Sequence, residues 1–270
     1  MEVALAFVFG LLIGSFLNVC IYRLPRDLSV VRPRSFCPSC ERMIAWYDNI
    51  PVVSFVLLRG RCRLCKSAIP LRYPLVELVT ALLFAWGAYR YEPWEAVKFC
   101  AFSALLVALV GSDLEERTLP DGLTLGGAVL GLVLAWFSPI APGMAPLLFP
   151  WTQAPRMWSL EEAVLGAAIS SGAIWLVGEL YYRLRKREGL GLGDVKMIAM
   201  IGAFLGLQGA LLTLIVGSLA GGIIGLLVIA VTGRSASTYQ LPFGAFLGGS
   251  ALAVLLFGAA VLKWYTRMGT

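Results

Sequence analysis

The stretch GDVKMIAMIGAFLGLQGALLTLIVGSLAGGIIGLLVIAVT, residues 193–232, carries one acid and one base, both at its start, and no charge after Lys196. A helix needs roughly 20 apolar residues to cross a bilayer, so this run is long enough for nearly two crossings. The triplet LQG at 207–209 divides it into segments 194–207 and 209–231. The rest of the chain has the same character. Of its 270 residues, 59% are hydrophobic and 14% charged, against roughly 45–50% and about 25% in soluble domains. The fold class read from this is an all-α polytopic membrane protein.

Working outward, further apolar segments at 3–22, 74–91, 96–113, 121–138, 160–181 and 243–262 bring the expected number of transmembrane helices to about eight. The first segment is too long for a signal-peptide core and no basic residue precedes it, so it reads as a retained helix. Lys and Arg set the orientation. With the N-terminus outside, residues 23–73, the turn after Asp113, 182–196 and 232–242 fall inside and hold 17 of the 22 basic residues. The net charge of +6 is then a topology signal with some attraction to anionic lipid. It gives no reason to expect nucleic acid. The predicted organisation is a first transmembrane helix (1–22), a small cytoplasmic domain between helices 1 and 2 (23–73), and a transmembrane domain (74–270). The outside loop 139–158 has five prolines, which argue against helix there.

The cytoplasmic domain contains CPSC at 37–40 and CRLC at 62–65. Two CxxC pairs at this spacing predict one tetrahedral zinc held by Cys37, Cys40, Cys62 and Cys65. Disulfides are the alternative, and a reducing compartment disfavours them. Four thiolates leave zinc no open position, so the metal is structural, a staple for a domain too small to hold itself together. Cys20 and Cys100 lie in apolar spans and read as packed residues.

The sequence has no histidine, which excludes Ser-His-Asp and Cys-His catalysis and leaves carboxylates as the best acid–base pair. An acid inside a span costs roughly 2.5–3.5 kcal/mol, so Asp113, Asp121 and Asp194 need a reason. By the orientation above, all three lie at inside ends of helices, at one depth. Two close carboxylates share a proton, and such a pair can activate water and protonate a leaving group. Asp121, after Pro120, and Asp194 both also fit helix caps by position. Asp113 does not, because it stands at a helix's negative pole. The glycines of GLGLGD, Gly191 and Gly193 among them, leave room for an extended substrate backbone. Lys196 reads as a snorkelling residue or a support to the acids. Asn18 and Ser15 read as hydrogen-bonding partners between helices, with substrate binding as the alternative, and Glu77 as a partner for Arg72 or a neighbouring helix, or as a group serving catalysis. A transporter would place acids near mid-bilayer and show internal repeats, and neither is present. A non-catalytic scaffold leaves Asp113 unexplained.

GSFLNVCIYRLP (14–25), the segment running from CPSC through NIPVVSFVLLRGRCRLC to RYPLVEL (37–78), DLEERTLPD (113–121) and GLGDVK (191–196) together resemble the type IV prepilin peptidases, membrane aspartyl proteases of the GxGD class. The resemblance covers nearly the whole chain. It implies a bifunctional enzyme of the bacterial inner membrane. Such an enzyme cleaves the basic leader of type IV prepilins or type II secretion pseudopilins at the cytoplasmic face. It then N-methylates the new amino terminus with S-adenosylmethionine. Carried onto this sequence, Asp113 and Asp194 are the catalytic pair, Asp121 matches a second family aspartate, and Gly60 matches a glycine linked to methyl transfer. Glu77 is a further methyl-transfer candidate. The chain departs from the family pattern at Ala245, where proline is expected after PFG. Nothing in the sequence sets the oligomeric state.

Overall fold

The computed structural model describes residues 1–141, 143–152, 154–186, 191–232 and 242–268, with side chains to residue 258. Residues 187–190 of the predicted glycine loop, segment 233–241 of the predicted inside set, and the side chains of Lys263 and Arg267 lie outside the described residues. The described residues are helical, with isolated β-bridges and no β-strand. The helices are α1 (Glu2–Arg23), α2 (Val53–Leu57), α3 (Arg72–Arg90), α4 (Pro93–Glu116), α5 (Asp121–Phe137), α6 (Ala145–Leu148), α7 (Pro155–Arg185), α8 (Leu192–Thr232) and α9 (Phe243–Met268). The eight predicted apolar segments fall in α1, α3, α4, α5, α7, the two parts of α8, and α9. Among the described residues, four helices (α1, α4, α7 and α8) are long and apolar enough to cross a membrane, and α5 and the described part of α9 contribute shorter apolar runs.

Two compact units divide the chain, Met1–Ala108 and Leu109–Thr270, with α4 passing from one to the other. In the first unit, α1 and α3 pack through small residues. A Cβ on Gly10 or Gly14 would lie 2.6 Å from the Cα of Ala81 or Glu77, the close approach that small residues permit between apolar helices. Asn18 crosses this seam, its Nδ2 donating to the Tyr73 carbonyl at 3.0 Å, as its interhelical reading predicts.

In the second unit α8 packs on α5, α7 and α9. Gly206 breaks α8, with φ 71° and ψ −178°, close to the predicted LQG division. Only glycine takes this conformation without strain. A side chain there would also strike Glu162 and Ile140. Beside the break, Gly202 and Gly166 bring the backbones of α8 and α7 into direct contact. The helix surface at Gly222 is open. Gly202→Leu is therefore expected to abolish folded protein and Gly222→Leu to leave it intact, read by the size-exclusion profile in detergent. A normal profile for Gly202→Leu would show that the helix crossing can spread.

The proline-rich loop corrects one expectation. α6 forms inside it, with Pro146 in the first turn, and α7 starts at Pro155. Proline is tolerated in a first turn, where its missing N–H has no intrahelical acceptor. Glu162, fully buried on α7, accepts the Ala145 N–H at 2.9 Å and so satisfies an amide at the start of α6.

Candidate active site

Asp113 lies in the last turn of α4 and is 5% exposed. Its Oδ2 accepts the backbone N–H of Ala245, in the first turn of α9, at 2.6 Å. Proline at this position has no N–H to donate, so the departure from the family pattern gives this chain a bond that the pattern cannot make. Gly244 is needed beside it. A Cβ there would sit 3.1 Å from Asp113 Oδ2 and 3.0 Å from Leu119 Cδ1. Leu119 also closes on Gly193, whose Cβ would lie 3.2 Å from the Leu119 Cβ. Next in the chain, Asp194 faces Gly191, where a Cβ would lie 3.5 Å from its Oδ2, and its carboxylate takes a backbone hydrogen bond from Gly191. The starts of α8 and α9 and the end of α4 thus bring the two acids together around Leu119, with glycine where a side chain would intrude. Gly244→Val is expected to lower any activity of this pair at least about ten-fold, the loss of one hydrogen bond to a charged group being enough. Unchanged activity would show that the α9 start does not position Asp113.

Asp194 sits in the first turn of α8, which begins at Leu192, and reaches back to Gly191 at the helix start as a capping acid does. The capping expectation for Asp121 fails. Asp121 is the first residue of α5 and makes no side-chain cap. It forms an ion pair with Lys196, whose Nζ stands 2.7 and 2.8 Å from its two carboxylate oxygens. Lys196 does not snorkel. Its positive charge is poorly placed at the positive pole of α8, and Asp121 offsets it while tying the start of α5 to that of α8. A pairing across 75 residues leaves no trace in local spacing.

In the first unit, the four predicted ligands converge. The sulfurs of Cys37, Cys40, Cys62 and Cys65 all lie within 4.8 Å of one another. Cys37 and Cys65 are 3.8 Å apart, the edge of a tetrahedron with metal–sulfur bonds of about 2.3 Å. One local structure is used twice. Glu41 N donates to Cys37 O and Lys66 N to Cys62 O, Glu41 and Lys66 both take positive φ, and bridges Phe36–Met43 and Arg61–Ala68 flank the two turns. The donor set and its spacing fit a closed metal site. Nearby, Arg63 forks onto Asp48 at 2.8 and 2.6 Å and holds that carboxyl below its usual range.

The same unit encloses a cavity of about 490 Å³ lined by Ser15, Asn18, Tyr47, Phe55 and Glu77 among others. Glu77 is 8% exposed. It does not serve Arg72. Its Oε2 accepts the Val52 N–H at 2.7 Å, and Ser15 bonds to it as well. Val52 is β-branched yet has φ 59°, a strained backbone whose N–H this carboxylate holds. Gly60 does not line the cavity. At φ 66° it turns the chain after α2, and a Cβ there would meet the Phe55 ring at 3.1 Å. Its part is to let Phe55 form the cavity wall.

Comparison with known proteins places these features in a family. The profile for the bacterial peptidase A24 N-terminal domain matches residues 8–91, and that for the type IV leader peptidase family matches residues 100–226. A Myxococcus xanthus prepilin leader peptidase/N-methyltransferase is 40% identical over 85% of this chain and 64% of its own length. Proteins of the same name from Legionella pneumophila and Pseudomonas aeruginosa are 34% and 33% identical, over 96% of this chain and 92% and 91% of theirs. No solved structure matches. With full-length relatives at this identity, the chain belongs to the type IV leader peptidase family.

Proposed function

We propose that the chain is a prepilin peptidase and N-methyltransferase of the bacterial inner membrane. It removes the basic leader of type IV prepilins or type II secretion pseudopilins and then methylates the new amino terminus. What supports the peptidase half is that Asp113 stands against Gly244 and Asp194 follows Gly193, with both glycines packed on Leu119, in a chain without histidine. In this reading one carboxylate, kept ionised, takes a proton from water as the water attacks the scissile carbonyl. The other, protonated, passes its proton to the departing amine. The Ala245 N–H steadies the Asp113 carboxylate, and the glycines at 191, 193 and 244 leave space for an extended backbone. Asp121 and Lys196 hold the helix starts in place. The excess of Lys and Arg in segments on one side supports eight spans with the N-terminus outside and the acids at the cytoplasmic face.

Zinc fits the four cysteines and would act there as a structural ion, bound through all four sulfurs. The methyl donor is S-adenosylmethionine, which when bound supplies an electrophilic methyl group. The cavity of about 490 Å³ in the first unit has the volume for a ligand of that class, and Glu77 and the Arg63-paired Asp48 are carboxylates in its lining.

The test is to incubate the purified protein with a prepilin and S-adenosylmethionine alone. A shortened product carrying one added methyl group is the expected result, and an uncut prepilin removes the reading. Gly60→Trp forces a bulky residue into positive φ against Phe55. It should lower methylation at least about ten-fold with cleavage little changed. Equal loss of both activities in well-folded protein would show that the two are not separable in this way.

A further inference from the structure

The short helix α2, VSFVL at 53–57, carries no charge, and Ser54 is its one polar residue. Its inner side is accounted for. Ser54 is buried and donates to the Tyr47 carbonyl at 2.9 Å, and Phe55 lines the cavity. Its outer side is apolar as well. Val53, Val56 and Leu57, spaced as one face of a helix, are 48%, 65% and 75% exposed. Trp46, in the turn before α2, is 72% exposed. A helix that is apolar all round belongs in a core or in a membrane.

Its place beside the long helices decides between the two. α1 is long and apolar enough to cross a bilayer. Gly14 lies about 13 Å from the end of α1 at Arg23, at about 1.5 Å per residue. Glu77 of α3 packs level with Gly14, and its Oε2 holds the Val52 N–H at 2.7 Å. The start of α2 is therefore within one glutamate side chain of a point well inside the apolar length of α1. The backbone suits such a place. The Ile50 N–H goes to Ser54 Oγ, that of Val53 to the Pro51 carbonyl, and that of Ser54 to the Ile50 carbonyl. On the way out, the amides of Leu58, Arg59, Gly60 and Arg61 donate to the carbonyls of Ser54, Val56, Phe55 and Leu58. A loop in water can leave such amides to solvent, whereas hydrocarbon requires an acceptor within the protein for each. The first charges after α2 are Arg59 and Arg61, both exposed, and no acid stands between Asp48 and Glu77 in the sequence.

We infer that the outer face of α2 is a lipid-docking surface. Val53, Val56 and Leu57 enter the acyl region of the leaflet on this domain's side, Trp46 lies at its boundary, and Arg59 and Arg61 meet anionic headgroups. Charge selects this partner, since the apolar face is flanked by bases alone. Because Phe55 faces the cavity from the same helix, lipid forms the outer backing of one cavity wall. This holds whatever the cavity binds.

The test uses the full chain reconstituted in vesicles of equal phosphatidylglycerol and phosphatidylcholine. Leu57→p-benzoylphenylalanine places a photo-crosslinker on the outer face of α2. Glu41→p-benzoylphenylalanine, at an exposed acid of the first cysteine turn, is the control. Irradiation and mass spectrometry are expected to find phospholipid adducts at Leu57 and none at Glu41. Phosphatidylglycerol should exceed phosphatidylcholine in those adducts about five-fold, the scale of one arginine at an anionic surface. Arg59→Gln combined with Arg61→Gln should make the two lipids equal. If the labelled chain does not fold, brominated lipid decides. It should quench Trp46, read as the difference between wild type and Trp46→Phe, and an unquenched Trp46 overturns the inference. Crosslinks from Leu57 to a second copy of the chain, or to an added prepilin in preference to lipid, overturn it too, as does equal lipid labelling at the two positions. An enrichment that survives the loss of both arginines overturns the headgroup contacts.

Discussion

Asp194→Asn is expected to remove nearly all cleavage of a prepilin by the purified protein, and Asp113→Asn to do the same, with both variants still folded in the membrane. The motive is the geometry around Leu119. Asp113 is held by the Ala245 N–H at 2.6 Å, and Leu119 packs against both Gly244 beside it and Gly193 next to Asp194. Groups that share one proton act as a unit, so the double variant should be little worse than either single one. Its residual rate should reflect binding alone. Substitution of Asn for Asp keeps the shape and the acceptor for Ala245, so a folding failure has no evident cause. Near-normal cleavage by Asp194→Asn would overturn the dyad and return this residue to a structural part at the start of α8.

The second large effect concerns the four cysteines. Freshly purified protein is expected to contain about one zinc per chain, by elemental analysis. Metal binding in such small sites is folding free energy of about 10–16 kcal/mol, far beyond what 50 residues of short helices and turns supply. Cys37→Ser, or prolonged chelation, should therefore unfold the segment between α1 and α3, seen as new protease-sensitive sites there. The alternative is concrete as well. Metal-free protein with two disulfides would sink the zinc assignment, although the structure has the Cys37 and Cys65 sulfurs at 3.8 Å, well beyond a bond of about 2.05 Å.

What was legible in the sequence was whatever repeats locally or is forced by solvent. Apolar length located the helices, since a membrane requires every backbone amide to be satisfied within its own segment. CxxC spacing located the four-cysteine cluster because two turns suffice to present four sulfurs. Asp113 was visible as a charge at the wrong pole of its helix. The departure at Ala245 was visible as a missing proline, but its meaning, an N–H aimed at Asp113, depends on how α9 meets α4. The Asp121–Lys196 pair and the Glu77–Val52 bond were not legible, because each joins residues whose separation in sequence carries no period. Asp121 also satisfied a local rule for capping, and the tertiary partner took precedence.

The break in α8 bears on where water meets this protein. From Leu192 to Gly206 the helix rises only about 21 Å, at about 1.5 Å per residue. A hydrocarbon core is about 30 Å thick. Asp194, near one end of that piece, and the Gly206 break at the other therefore cannot both reach the headgroups. Either the lipid is pinched around this piece or one of its ends stands below the headgroup plane. Pinching carries a modest cost for each ångström of mismatch. If the sunken end is the acidic one, the reacting bond and its attacking water meet in a dimple of the bilayer surface. A leader peptide would then need to leave the aqueous phase by only a few residues to be cut.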